Sequence, residues 1–126
     1  MKIGLLLSGA LLFSALYSCA QPLNQKAALT RQDTLRGSIT LERAWWDVVQ
    51  YNLSVTPDYT AKSISGENEM AFKVTGAGTR MQIDLQQPME LQKATWQGQS
   101  LPLTRDGNVY YVTFPQALKQ GSTEKL

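Results

Sequence analysis

Apolar and polar residues alternate along much of the chain from Tyr51 onward. Alternation with period two marks a strand that turns one face toward a core. In YNLSVT, Tyr51, Leu53 and Val55 point one way and Asn52, Ser54 and Thr56 the other, which predicts a half-buried strand. Pro57-Asp58 predicts the turn after it. AKSISGENEMAFKVT predicts a second strand, with Ile64, Met70, Phe72 and Val74 on one face and Gly66 marking a bulge or bend. Gly76-Ala77-Gly78 predicts a turn, and RMQIDLQ a further strand through Met81, Ile83 and Leu85. Pro88 opens the segment PMELQKATW. Gln97-Gly98 and Asp106-Gly107 are tight-turn signals ahead of QSLPL and VYYVTF. About six or seven short strands separated by turn signals predict an all-β fold, an antiparallel β-sandwich. Only TLERAWWD carries a helical expectation, one or two turns long, with Thr40 as a candidate N-cap.

The beginning of the chain is patterned differently. Lys2 supplies a cationic head, and residues 3–16 are apolar but for Ser8 and Ser14. That run is shorter than the roughly 20 residues a spanning helix needs. With small residues after it, it reads as a secretory signal. Its end, Leu16-Tyr17-Ser18-Cys19, resembles the lipobox of bacterial lipoproteins, in which the leader is cut before a cysteine that then carries lipid. On that reading residues 1–18 are a lipoprotein-type signal peptide and Cys19 is the lipidation site that anchors the chain to a membrane. The location is then periplasmic or outer-membrane-associated. Two alternatives remain. Ser18-Cys19-Ala20 also suits an ordinary signal cut before Gln21, and Cys19 as a buried structural cysteine is the plainest reading. Residues 19–40 are polar, contain Pro22 and show no sustained period, so they read as a flexible tether ahead of a β domain over residues 41–126.

Composition removes several function classes. The chain has 126 residues, enough for one domain at most once the leader is set aside. Its net charge is +2, and without Lys2 the exported part is close to neutral, with acidic and basic residues interspersed. Nothing marks a nucleic-acid surface or a polybasic membrane patch. The chain contains no histidine, which excludes His-based zinc ligation, Ser-His or Cys-His nucleophile pairs and imidazole acid–base chemistry. A single cysteine excludes an internal disulfide. Glu67 and Glu69 share one face of their strand. They would serve acid–base work only in a cleft with shifted pKa values, and a solvated face is the simpler expectation. The glycines of GAG lack the following helix that a phosphate loop requires. Asn52-Leu53-Ser54 matches a glycan acceptor but sits mid-strand behind a bacterial-type leader. Trp45-Trp46 is the most pointed local feature. It is either an aromatic platform for a sugar or partner, or packing at the end of the sandwich or against another domain.

Taken in order, Tyr51-Asn52-Leu53-Ser54-Val55, Asp58, Ile64-Ser65-Gly66, Met81-Gln82-Ile83-Asp84-Leu85 and the hairpin Gln97-Gly98-Gln99-Ser100-Leu101 resemble the start of the aminopeptidase-N-like zinc metallopeptidases (gluzincins). The preceding Ala44-Trp45-Trp46-Asp47 resembles the exported enzymes of Bacteroidetes-type bacteria. The resemblance covers roughly residues 31–126. It implies a saddle-like β domain that packs beside a thermolysin-like catalytic domain and helps wall the substrate cleft. It further implies zinc held by H-E-x-x-H and a distant Glu, and a G-x-M-E-N segment for the substrate amino end. Neither motif occurs here, so the resemblance brings no catalytic, metal or substrate residue to this chain, and no cofactor of its own. Leu118-Lys119-Gln120-Gly121 matches the family's L-x-x-G, after which a strand begins at TEKL. The expectation is a non-catalytic N-terminal piece of an exported zinc aminopeptidase, whose partner is the catalytic domain of the same enzyme. Trp45 and Trp46 are then candidate interdomain contacts. The alternative is a free-standing β-sandwich lipoprotein that binds a protein or glycan through those aromatics.

Overall fold

The computed structural model describes residues 28–126. The leader, Cys19 and the first part of the expected tether lie outside the described residues. The fold is mostly β, with antiparallel sheets and one short helix. In chain order the elements are α1 (Arg31–Gly37), β1 (Trp46–Asp58), β2 (Ser63–Val74), β3 (Arg80–Asp84), β4 (Thr95–Trp96), β5 (Gln99–Ser100), β6 (Leu103–Asp106), β7 (Val109–Thr113) and β8 (Thr123–Lys125). One sheet runs β1-β2-β8, a second β3-β7-β6, and β4-β5 is a separate hairpin.

The core lies between the first two sheets. Met70, Phe72 and Val74 of β2 face Met81 of β3 and Val112 of β7, with Trp45, Trp96, Leu101, Phe114 and Leu118 closing the sides. The alternation read in FKV and RMQID therefore holds, because each apolar set occupies the inward pleat. The hairpin at Gln97-Gly98 forms as expected. Both residues have positive φ, 50° and 78°, as a primed turn joining twisted strands requires. At the second signal the turn falls on Gly107-Asn108, while Asp106 stays in β6. The sequence TEKL supplies β8, which pairs antiparallel with β2 through Ala71↔Lys125 and Lys73↔Thr123.

Several local expectations are corrected. Residues 31–37, read as tether, form α1. Thr30 caps it by accepting from the Asp33 amide, while the Asp33 carboxylate accepts from the Thr30 amide. Leu35 seats the helix on Val109 and Tyr111, an attachment too short to leave a periodic trace in the sequence. Thr40 caps no helix. Its carbonyl accepts from the Arg43 and Ala44 amides in a single turn, and its hydroxyl donates to Gln82 Oε1. Pro57 and Asp58 do not turn the chain but end β1. The turn lies beyond them, where Asp58 Oδ1 accepts from the Thr60 and Ala61 amides. Gly66 marks no bulge: it pairs in register with Val55, and the bulge is on β1 between Val48 and Gln50. A Cβ at Gly66 would stand 2.2 Å from the Ser54 carbonyl oxygen, so glycine is required by the close approach of β1. Of PMELQKATW, only Thr95–Trp96 is strand.

Candidate docking surface

Trp45 and Trp46 were the sequence's candidates for contact with a partner. Trp45 is 3 % exposed and stands edge-on to Phe72 and Phe114, with ring centroids 6.3 Å and 5.8 Å away. Its Nε1 donates to the Arg80 carbonyl at 2.9 Å, and its backbone carbonyl accepts from the Thr75 and Gly76 amides. Gly78 lies flat against the indole, where a Cβ would come within 2.3 Å of ring atoms. The GAG turn is thus the seat of Trp45. Trp46 is half-buried on Phe72 and donates through Nε1 to the Glu42 carbonyl at 2.8 Å. Trp45 packs within this domain's own core and Trp46 lies half-buried against it, as the packing reading of the pair expects.

The apolar surface lies elsewhere. β1 and β2 extend past the second sheet as a two-stranded arm, paired from Tyr51↔Met70 to Asp58↔Ser63. Directly opposed residues share a face. One face of the arm therefore carries Tyr51, Leu53, Val55 and Ile64, and runs on into buried Met70, Phe72 and Val74. The bulge at Val49 makes this continuity possible. Before it Trp46 and Val48 face the core, and after it the inward parity shifts to Tyr51, Leu53 and Val55. Yet Tyr51, Leu53, Val55 and Ile64 are each between 54 % and 65 % exposed. The half-buried strand expected here has its apolar face in water, because among the described residues nothing lies over the arm beyond Met70. Asn68 and Gly66 of β2 share this face, opposite Leu53 and Val55; an exposed apolar patch of this kind is a candidate interaction surface.

The opposite face of the arm is polar: Asn52, Ser54 and Thr56 of β1 face Glu69, Glu67 and Ser65 of β2. Glu67 and Glu69 lie on the solvated face the sequence led one to expect, and Glu69 accepts from Lys125 Nζ at 2.9 Å. Neither sits in a cleft, so no acid–base pair is formed.

A second feature is a cleft of about 190 Å³ beneath α1, lined by Asp33, Leu35, Arg36, Asp84 and Asn108. Its carboxylates are already engaged. The Asp33 carboxyl is held below its ordinary pKa, first by the Thr30 hydroxyl and then by the Thr30 amide. Asp84 is paired with Arg43 and accepts from Gln82 Nε2 at 3.0 Å. The fully buried Gln82 ties the parts together: its amide nitrogen also donates to the Leu35 carbonyl, and its amide oxygen accepts from Thr40. This arrangement fastens α1 to β3 and presents no free nucleophile or base. Among the described residues no group of three carboxylate, cysteine or histidine side chains converges to hold a metal, and no helix is long and apolar enough to cross a membrane. The signal that could have revealed the arm was its length: β1 and β2 each run well past the apolar sets Trp46–Val48 and Met70–Val74 that meet the second sheet, with Tyr51, Leu53 and Val55 alternating onward on β1.

No protein-family model, curated protein or solved structure matches this chain.

Proposed function

We propose that this chain is a non-catalytic docking module, the N-terminal β domain of an exported aminopeptidase-N-like zinc metallopeptidase. It holds the enzyme's catalytic domain through the apolar face of the β1–β2 arm. The observation that carries the proposal is that face: Tyr51, Leu53, Val55 and Ile64 continue the core surface of the sheet and stand in water. The order of the resembling segments supports it as well. Y-x-L-x-V lies on β1, I-x-G on β2 and the first part of M-x-I-D-L on β3, and the glycine hairpin joins β4 to β5. The contact is with an apolar surface of the catalytic domain, which alone supplies zinc and the groups that bind the substrate amino end. The chain contributes shape and apolar area, and its lipidated Cys19 tethers the assembly to a membrane on the outer side of the cytoplasmic membrane.

The alternative of a free-standing lipoprotein that reads a glycan with Trp45 and Trp46 draws less support, since both indoles pack inward. The test uses an antiserum raised against residues 28–126. From cells that carry the gene, it should capture a polypeptide several times longer than 126 residues whose peptides include both this sequence and an H-E-x-x-H segment. Capture of only a 126-residue or shorter species, with no zinc-peptidase peptides, overturns the reading.

A further inference from the structure

The cleft beneath α1 lies apart from the arm. Leu35 seats the helix on Val109 and Tyr111, which alternate along β7 with the core residue Val112. The helix and its cleft are therefore on the face of the second sheet turned away from the first sheet, to which the arm and β8 belong. The space is about 190 Å³, and its walls come from α1, from the end of β3 and the residues after it, and from the β6–β7 turn. Leu35 and Val109 are buried and give it an apolar floor. Around that floor stand three primary amides, those of Gln32, Gln86 and Asn108. Gly107 leaves room for the first: a Cβ there would come within 2.5 Å of the Gln32 amide nitrogen. Asn108 is oriented by its amide oxygen, which accepts from the Gln87 N–H at 3.1 Å, so its amide nitrogen is left to donate. Gln86 is exposed. The charges of the lining cancel. Asp84 is paired with Arg43, and Arg36 stands close enough to Asp33 to help hold its carboxyl below the ordinary range.

We infer that this cleft holds one neutral sugar ring, as a free sugar or as the end of a glycan. A pyranose has an apolar C–H face and a rim of hydroxyls that both donate and accept. A primary amide also donates and accepts, so the three amides match several hydroxyls without bringing a net charge. The floor of Leu35 and Val109 receives the C–H face. An apolar bed with a few convergent polar groups is the usual build of a small-molecule site. The volume is below the ~300 Å³ at which drug-sized sites begin and suits a ligand of about a dozen heavy atoms. With each carboxylate of the lining offset by a guanidinium, a charged ligand gains no uncompensated partner. A ligand this small, held by neutral hydrogen bonds at an open cleft, binds with a Kd of roughly 1–20 mM. Neither the Trp45-Trp46 pair nor the apolar face of the arm takes part, so the site stands or falls separately from the docking reading above.

The experiment is an NMR titration of residues 20–126, which retain every packed residue described and lack the thiol. The probes are glucose, galactose, mannose and N-acetylglucosamine, each as the free sugar and as its methyl glycosides. At least one should saturate in the range above, moving the backbone signals of residues 32–36, 84–86 and 108–109 and the side-chain amide signals of Gln32, Gln86 and Asn108. A methyl glycoside that binds as well as its free sugar identifies the ligand as a glycan end, and binding of the free sugar alone identifies it as the monosaccharide. Gln86→Ala removes one amide from an exposed position, so it should weaken binding about fivefold and leave Tm unchanged. Glucuronate and glucosamine, charged forms of the same ring, should bind several-fold more weakly than the neutral ring. The near-ultraviolet signal of buried Trp45 checks that the variant keeps its core. No saturation by about 50 mM, tighter binding of either charged ring, a Gln86→Ala protein that binds as well as the parent, or signal changes centred on the Trp46 indole would each overturn the proposal.

Discussion

Replacing Trp45 with phenylalanine tests whether that residue is core rather than contact surface. The substitution keeps one aromatic ring between Phe72 and Phe114 but removes the indole N–H and one fused ring. Loss of the 2.9 Å bond to the Arg80 carbonyl costs about 1 kcal/mol, and more if no water reaches the acceptor. Roughly 40 Å² of apolar area leaves the core, worth about 1 kcal/mol at ~25 cal/mol per Å². Incomplete collapse around the gap adds a few tenths of a kcal/mol or more. The expected loss is therefore about 2–3 kcal/mol, a fall in Tm of roughly 10–20 °C for a domain of this size. Urea unfolding of residues 20–126 measures it, with the midpoint lowered and the slope unchanged. Approached from the other side, Gly78→Ala drives a methyl group into the same indole and should cost about 1–3 kcal/mol. Leu53→Ser is the control: the side chain is already mostly in water, so its change should stay within about 0.5 kcal/mol. If Trp45→Phe falls within that same 0.5 kcal/mol, the indole is not holding the core and the packing argument fails. A loss above about 1.5 kcal/mol for Leu53→Ser would show instead that the arm face is covered in the isolated chain.

Gln82→Leu leaves the Leu35 carbonyl and the Thr40 hydroxyl without their buried partner, at a cost of about 1–3 kcal/mol. Amides of residues 34–38 should then exchange much faster than in the parent, and unchanged exchange there would refute the role given to Gln82. The Asp33 carboxyl is held below its ordinary value by Thr30, so its contribution to α1 is complete above the unfolded carboxyl pKa. That contribution disappears as the pH falls through the lowered folded value. Carboxyl titration by NMR should show the depressed midpoint, and Thr30→Ala should return it toward the ordinary range. Metabolic labelling with a fatty-acid probe should mark the exported chain and be lost in Cys19→Ala. Unlabelled wild type with Gln21 at its N-terminus would instead establish the ordinary signal cut.

The parts legible in the sequence are those whose cause is local. Alternation at Met70, Phe72 and Val74 and at Met81 fixed strands and their inward faces, since a pleat alternates whatever it packs against. Gln97-Gly98 fixed a primed turn because few residues accept positive φ. The lack of histidine excluded imidazole chemistry from this chain, and the lone cysteine an internal disulfide, without any structure. Tertiary structure decided what depends on the partner of a surface. Alternation says that Tyr51, Leu53 and Val55 share a face but not that the second sheet stops short of them. The bulge at Val49, which brings Trp46 and Val48 onto that face, is set by the pairing with β2. A tryptophan pair reads equally well as platform or core until Gly78 and the Arg80 carbonyl are seen around Trp45. Pro57 reads as a turn until its missing N–H is found facing outward from an edge. α1 is too short for periodicity to reveal, and it holds because Leu35 and Gln82, 47 residues apart, meet only when the chain has folded. Local sterics and pleat geometry act between neighbours and are written in the order of residues. Burial is a property of what lies opposite, and only the folded chain supplies that.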